Sequence, residues 1–236
     1  MINNSTMPNN YAYSEVIRSV YLGHCIGCLE MLRTTSDDLL RFMGSDDFSA
    51  LIILSAVAGL ESYLRDRLGR CLFSSGSREV DHYIYEYQHS YNDYHYKKDR
   101  LEMVPEGGIL TDEQKEALGK SVQTLNYHQT NKLNDRYFNN IFKVSIVVDG
   151  LSERIDEIIE LRNFLSHNGG IISRIKIHKE VDISRASAVI DTISDYIKVV
   201  ETRFLGAGYV PVVDEFELST LGIESIDLIE KKNQER

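Results

Sequence analysis

The stretch Glu160-Leu-Arg-Asn-Phe-Leu-Ser-His-Asn-Gly-Gly170 gathers Arg162, Asn163 and His167 just ahead of a glycine pair. Helices commonly end on a glycine in the left-handed conformation, so Gly169 or Gly170 fits the position after the last turn and leaves His167 within that turn. Unpaired carbonyls give such an end a partial negative charge, which favours a protonated imidazole. A guanidinium close by, that of Arg162, opposes it. A histidine held between these influences suits proton transfer near neutral pH.

The element that must position these groups is a helix from about Ser152, with Leu151, Ile155, Ile158 and Leu165 on one side. At about 100° per residue, Arg162 falls in the middle of that apolar side, while Asn163 and His167 are i, i+4 neighbours nearly opposite. Arg162 and His167 are then about 140° apart on an ideal helix. An earlier helix follows Asp46 and Asp47, which suit its positive end. Its stripe runs Leu51, Leu54, Val57, Glu61, Leu64, Leu68 and Cys71, so Glu61 takes an inward position. There the carboxylate is either paired, hydrogen-bonded or at an interface, or it sits at the stripe's edge and reaches water. An Arg162–Glu61 ion pair between the two helices is the simplest arrangement that removes both inward charges.

The remaining elements frame this pair. Residues 1–13 read as a loose leader, and Ser14 as the cap of a helix with Ile17, Tyr21, Cys25, Cys28 or Leu29, and Leu32 on one face. Cys25 and Cys28 form a C-x-x-C, but a zinc site needs about four ligands and only Cys71 remains, so buried packing is the reading. Residues 74–100 are rich in Tyr and His, from His82 and Tyr83 to Tyr96. They form either a base-stacking surface for single-stranded RNA or, more simply, a half-buried amphipathic helix. Pro105-Glu-Gly-Gly108 marks a turn, and Thr111 to Gln114 a capping box that opens a helix to about Leu125. Residues 126–140, rich in Asn, read as loop, and Ile141 to Val148 as a short β-prone run. Asp182 or Ser184 caps a last helix carrying Ala186, Val189 or Ile190, Ile193, Ile197, Val200 and Phe204, which Gly206-Ala-Gly208 stops.

Composition bounds the function. The chain of 236 residues is 42% hydrophobic and 26% charged, enough for one domain with an insertion and a tail. No uninterrupted apolar run approaches the roughly 18 residues of a membrane helix, and the start is polar. With only three cysteines, the expectation is a cytoplasmic protein without membrane partners. The net charge of −10 opposes nucleic acid globally. Arg174, Lys176, His178 and Lys179 nevertheless make the segment after the motif basic, so any nucleic-acid site belongs there.

The chain resembles the HEPN superfamily, specifically its RiboL-PSP type. The resemblance rests on Arg162-Asn163-Phe-Leu-Ser-His167, followed by Asn168-Gly169, at the end of a penultimate helix. A long helix follows from about Ser184, and an earlier one reads Ser55-Ala-Val-Ala-Gly-Leu-Glu61-Ser-Tyr-Leu. It covers roughly residues 47–73 and 140–205. It implies an all-α antiparallel up-and-down bundle over 14–205, interrupted by the Tyr-rich insertion at about 74–140 and followed by an acidic extension over 206–236. It also implies a homodimer whose two motifs line one cleft, and cleavage of RNA without metal or other cofactor. Such proteins often serve toxin–antitoxin or phage-defence systems, with an antitoxin or other defence protein as partner. Carried over, Arg162 binds the scissile phosphate, Asn163 orients, and His167 transfers protons; from the residues themselves Glu61 and Asn168 are expected in support, and the basic Arg174, Lys176 and Lys179 as binding groups for RNA. The competing reading is a catalytically silent HEPN dimer that binds RNA or protein as an adaptor. In a third, Arg162 and Glu61 are only a core ion pair.

Overall fold

A computed structural model describes residues 10–35, 45–89, 101, 110–167 and 181–213, and every regular element among them is helical. In chain order these are α1 (Asn10–Thr34), α2 (Ser45–Ser74), α3 (Ser77–His89), α4 (Asp112–Gln123), α5 (Thr130–Leu133), a π-helical turn (Asn134–Phe138), α6 (Asn139–Phe142), α7 (Ser152–His167) and α8 (Ile183–Gly206). The fold is an all-α helical bundle. Helices α1, α2 and α8 pack on one another most extensively, and α7 lies against α2 and α8.

Helix α2 is the centre of the bundle, and its sequence shows why. Ile52, Ile53, Ala56, Val57, Leu60, Tyr63, Leu64, Leu68 and Leu72 are all buried, a face too broad for one partner helix. The narrow stripe expected from Leu51 is corrected at its first residue, because Leu51 is exposed and Ile52 and Ile53 point inward instead. Asp47–Ser74 is long and apolar enough to cross a membrane, but its apolar side faces the other core helices. Where α1 crosses α2, a β-carbon on Gly59 would run into the carbonyl oxygen of Tyr21, so only glycine permits this approach.

Three boundaries differ from the sequence expectation. Helix α1 begins at Asn10 rather than after a Ser14 cap, because Tyr13, Val16 and Ile17 are already held in the core. The Asn-rich segment expected as loop is helical from Thr130. Leu133, Tyr137, Phe138, Ile141 and Phe142 are buried at helical spacing between the asparagines. The β-prone run becomes the end of α6, a left-handed Lys143 (φ 58°) and an extended segment.

In that segment Val144, Ile146 and Val148 alternate inward without a strand partner among the described residues. Side chains take over the ladder's hydrogen bonds. Ile146 N–H donates to Asn134 Oδ1 (2.9 Å) and Val148 N–H to Ser152 Oγ (2.8 Å). Tyr196 Oη–H donates to the Ile146 carbonyl (2.8 Å) and Arg203 to those of Ser145 and Val147. The segment thus fixes the entry into α7.

Caps behave as expected. Thr111 and Gln114 form the capping box of α4, and the Asp182 carboxylate accepts from Arg185 N–H (2.7 Å) at the start of α8. At its end Tyr209 N–H reaches the Phe204 carbonyl and Gly208 N–H that of Leu205, with Gly208 at φ 86°. This turn sends Val212 and Val213 back into the bundle, where both are buried.

Among the described residues the most deeply buried ion pair joins α2 to α8: Arg67 Nη1 lies 3.1 Å from Glu201 Oε1, with the two side chains 0% and 2% exposed. Tyr13 Oη–H and Tyr63 Oη–H donate to the same carboxylate (3.1 and 3.0 Å), as does Val212 N–H (3.0 Å). The Arg67 guanidinium also stacks over Phe204, 4.8 Å from the ring centre.

Burial has a second electrostatic consequence. It pushes the thiols of Cys25 and Cys71 up to about 11 and raises the phenols of Tyr13, Tyr63 and Tyr83 above their usual range. Above the ordinary thiol value of 9.0, the unfolded chain loses protons that the folded chain keeps, so stability is whole below that pH and declines as pH rises toward 11. Urea midpoints measured from about pH 8 to about pH 11 should fall steadily, and a Cys25→Ala/Cys71→Ala variant should show a shallower fall. A flat profile in the wild type would contradict this account.

Candidate functional site

The site is built where α2, α7 and the chain leading into α5 meet. Helix α7 carries Arg162, α2 carries Glu61, and His128 comes from the turn after α4. His128 Nδ1 stands 2.6 Å from Glu61 Oε1, and Arg162 Nη2 stands 3.9 Å from the same oxygen. The three side chains are 26%, 18% and 27% exposed, respectively. Glu61 Oε1 and His128 Nδ1 are themselves closed to solvent. Their approach is oblique, a close charge contact rather than an aligned hydrogen bond.

Both flanks of His128 are fixed. His128 N–H donates to Asn126 Oδ1 (2.9 Å) in an Asx turn, and Tyr127 is buried with its hydroxyl donating to the Val122 carbonyl (2.8 Å). The Arg65 guanidinium of α2 lies over the Tyr127 ring, 5.6 Å from its centre. On the other side Thr130 and Asn131 both donate to the Asp156 carboxylate on α7, each at 3.2 Å. The turn that carries the imidazole is therefore pinned to the two helices that carry the carboxylate and the guanidinium.

The expected Arg162–Glu61 pair is present, but as a loose contact of partly exposed groups. The ion pair that holds the core together is Arg67–Glu201, in another part of the bundle. Asn163 was expected nearly opposite Arg162, yet Arg162 Nη1 donates to Asn163 Oδ1 (3.1 Å). The long guanidinium folds along the helix surface toward its neighbour, which an ideal helical wheel does not anticipate. His167 is the last residue of α7, as the glycine signal implied, and only its backbone is described. Asn168, Arg174, Lys176 and Lys179 lie outside the described residues.

His128 is the site residue that the sequence reading missed. It lies in the Asn-rich stretch, far from Arg162 along the chain and on no apolar periodicity. The available signal was Asn126-Tyr-His128 itself, an Asx turn beside an aromatic that needs burial.

The tyrosine-rich insertion resolves in favour of packing where it is described. Tyr83 and Tyr87 are buried and stacked, with hydroxyls bonded to Ser121 and Thr124. Tyr85 is exposed and stacks on His89. Tyr91, Tyr94, His95 and Tyr96 lie outside the described residues. His24 Nε2 and Cys28 Sγ are 3.7 Å apart on α1, and Cys25 is buried. No group of three metal-ligating side chains occurs among the described residues. Comparison with protein-family models finds no match, and comparisons with curated proteins and with solved structures find none either.

Proposed function

We propose that this chain is a metal-independent endoribonuclease of the HEPN type, acting on RNA as a homodimer in the cytoplasm and serving a toxin–antitoxin or phage-defence system. The observation that carries this reading is the placement of Arg162. It stands only partly buried, hydrogen-bonded to Asn163 beside it and in loose 3.9 Å contact with Glu61 on another helix, in the helix that ends at His167. A guanidinium so held suits a phosphate dianion forming in a transition state. The ribose 2′-oxygen attacks the adjacent phosphorus, Arg162 neutralises the added charge, and His167 moves a proton. The products are a 2′,3′-cyclic phosphate and a 5′-hydroxyl. The nucleophile belongs to the substrate, so the chemistry requires no metal-bound water.

Single-stranded RNA of mixed sequence should be cut by the wild type in the presence of EDTA and left intact by His167→Ala. A 2′-deoxy substitution at the mapped cut site should block cleavage. RNA left intact by the wild type would overturn the reading in favour of a silent module that binds a partner, which the net charge of −10 favours.

A further inference from the structure

The three thiols of the chain meet different surroundings. Cys25 and Cys71 are buried in the core, and burial pushes both up to about 11. Even the Arg67 guanidinium, with Nη2 3.7 Å from Cys71 Sγ, does not offset that burial. The thiolate is the nucleophile, so both are held inert. Cys28 differs on two counts: it is only partly buried, and its sulfur stands 3.7 Å from Nε2 of the exposed His24, one turn earlier on α1. We propose that Cys28, paired with His24, is a thiol-modification site that takes a low-molecular-weight disulfide as its reagent and keeps half of it as a mixed disulfide. This stands apart from the ribonuclease reading.

The pairing follows from the helix. Residues 24 and 28 are i, i+4 neighbours on one face, and 3.7 Å is a hydrogen-bonding distance for sulfur. In that contact the imidazole can accept the thiol proton, and once the proton has crossed, the ring N–H donates to a thiolate. Either proton position leaves the hydrogen bond in place. The contact lies at the surface of the bundle. The flank beside it is open as well: Gly27 is exposed, a β-carbon added there would meet nothing within 4 Å, and Met31, one turn beyond, is exposed.

The exchange balances without a further oxidant. His24 takes the Cys28 proton, and the thiolate attacks one sulfur of the reagent. The reagent's S–S bond breaks as the new one forms, and the departing thiolate takes the proton from the imidazolium. The Cys28 sulfur is oxidised into the mixed disulfide, while the released half of the reagent is reduced to a thiol. Resolution by Cys25 would need that thiol to ionise in the core, where burial holds it protonated. The mixed disulfide therefore persists until a small thiol removes it.

The test exposes the reduced full chain to glutathione disulfide and follows it by intact mass and peptide mapping. The expected product carries one glutathione per chain, at Cys28, and dithiothreitol releases it. Cys28→Ser should stay unlabelled. His24→Gln should react about fivefold to thirtyfold more slowly at neutral pH, because an unassisted thiol is only a few per cent ionised there. In concentrated urea, where the pair is dispersed, His24→Gln and wild type should react at equal rates and label all three cysteines.

A folded wild type that takes up no label, or takes it at Cys25 or Cys71, would overturn the proposal. So would loss of two thiols to a Cys25–Cys28 disulfide with no label retained. A folded His24→Gln that reacts as fast as the wild type would overturn the pairing, and a rate difference that survives in urea would do the same.

Discussion

Glu201→Ala should destabilise the bundle by about 3–5 kcal/mol, a large share of the total for a domain of this size. The carboxylate is the shared acceptor of Arg67, Tyr13, Tyr63 and the Val212 amide. Its removal strands a wholly buried guanidinium and three donors in a place water does not reach. Arg67→Met should cost a comparable amount by leaving the carboxylate unpaired, whereas Arg67→Met combined with Glu201→Leu should recover much of the loss. Urea unfolding of the wild type, Glu201→Leu, Arg67→Met and the double variant closes the cycle. Additive losses, or a Glu201→Ala variant within about 1 kcal/mol of wild type, would show that the cluster is not coupled.

Arg162→Ala should behave in the opposite way. The guanidinium is more than a quarter exposed and its contact with Glu61 is 3.9 Å, so its loss should cost less than about 1 kcal/mol of stability. Cleavage of RNA under single-turnover conditions should slow by about a hundredfold to a thousandfold, the usual cost of removing one donor to a developing oxyanion. Arg162→Lys should keep the charge but not the planar fork, and recover only part of the rate. Loss of stability like that of Glu201→Ala, with RNA cleavage untouched, would make Arg162 a structural residue and end its catalytic assignment.

These two outcomes mark what was legible in the sequence and what was not. Helix α8 was read correctly because a single apolar stripe, with Asp182 before it and Gly208 after it, leaves little choice. Helix α2 was read only in part, because a helix covered on several sides has no clean stripe, and Leu51 was assigned to the wrong side. Glu61 is not the only charge at an inward position of its helix. Arg67 falls between Leu64 and Cys71, and Glu201 between Ile197 and Phe204, at the same spacings that singled out Glu61. Periodicity marks which charges turn inward, not which of them meet, since pairing is decided by helix crossings that no single helix encodes. His128 was illegible for a different reason: its position depends on a turn anchored by long-range hydrogen bonds.

The Glu201 cluster also orders events in time. Tyr13 and Glu201 are 188 residues apart, and the Val213 amide meets the Tyr13 hydroxyl across 200. Contacts of such separation close large loops and are late in folding. A nascent chain on the ribosome can form α1 and α2 but has no anion for Arg67 until α8 emerges. Until then the apolar faces of α1 and α2 have lost their main common partner, and this interval is when the growing chain most needs a chaperone.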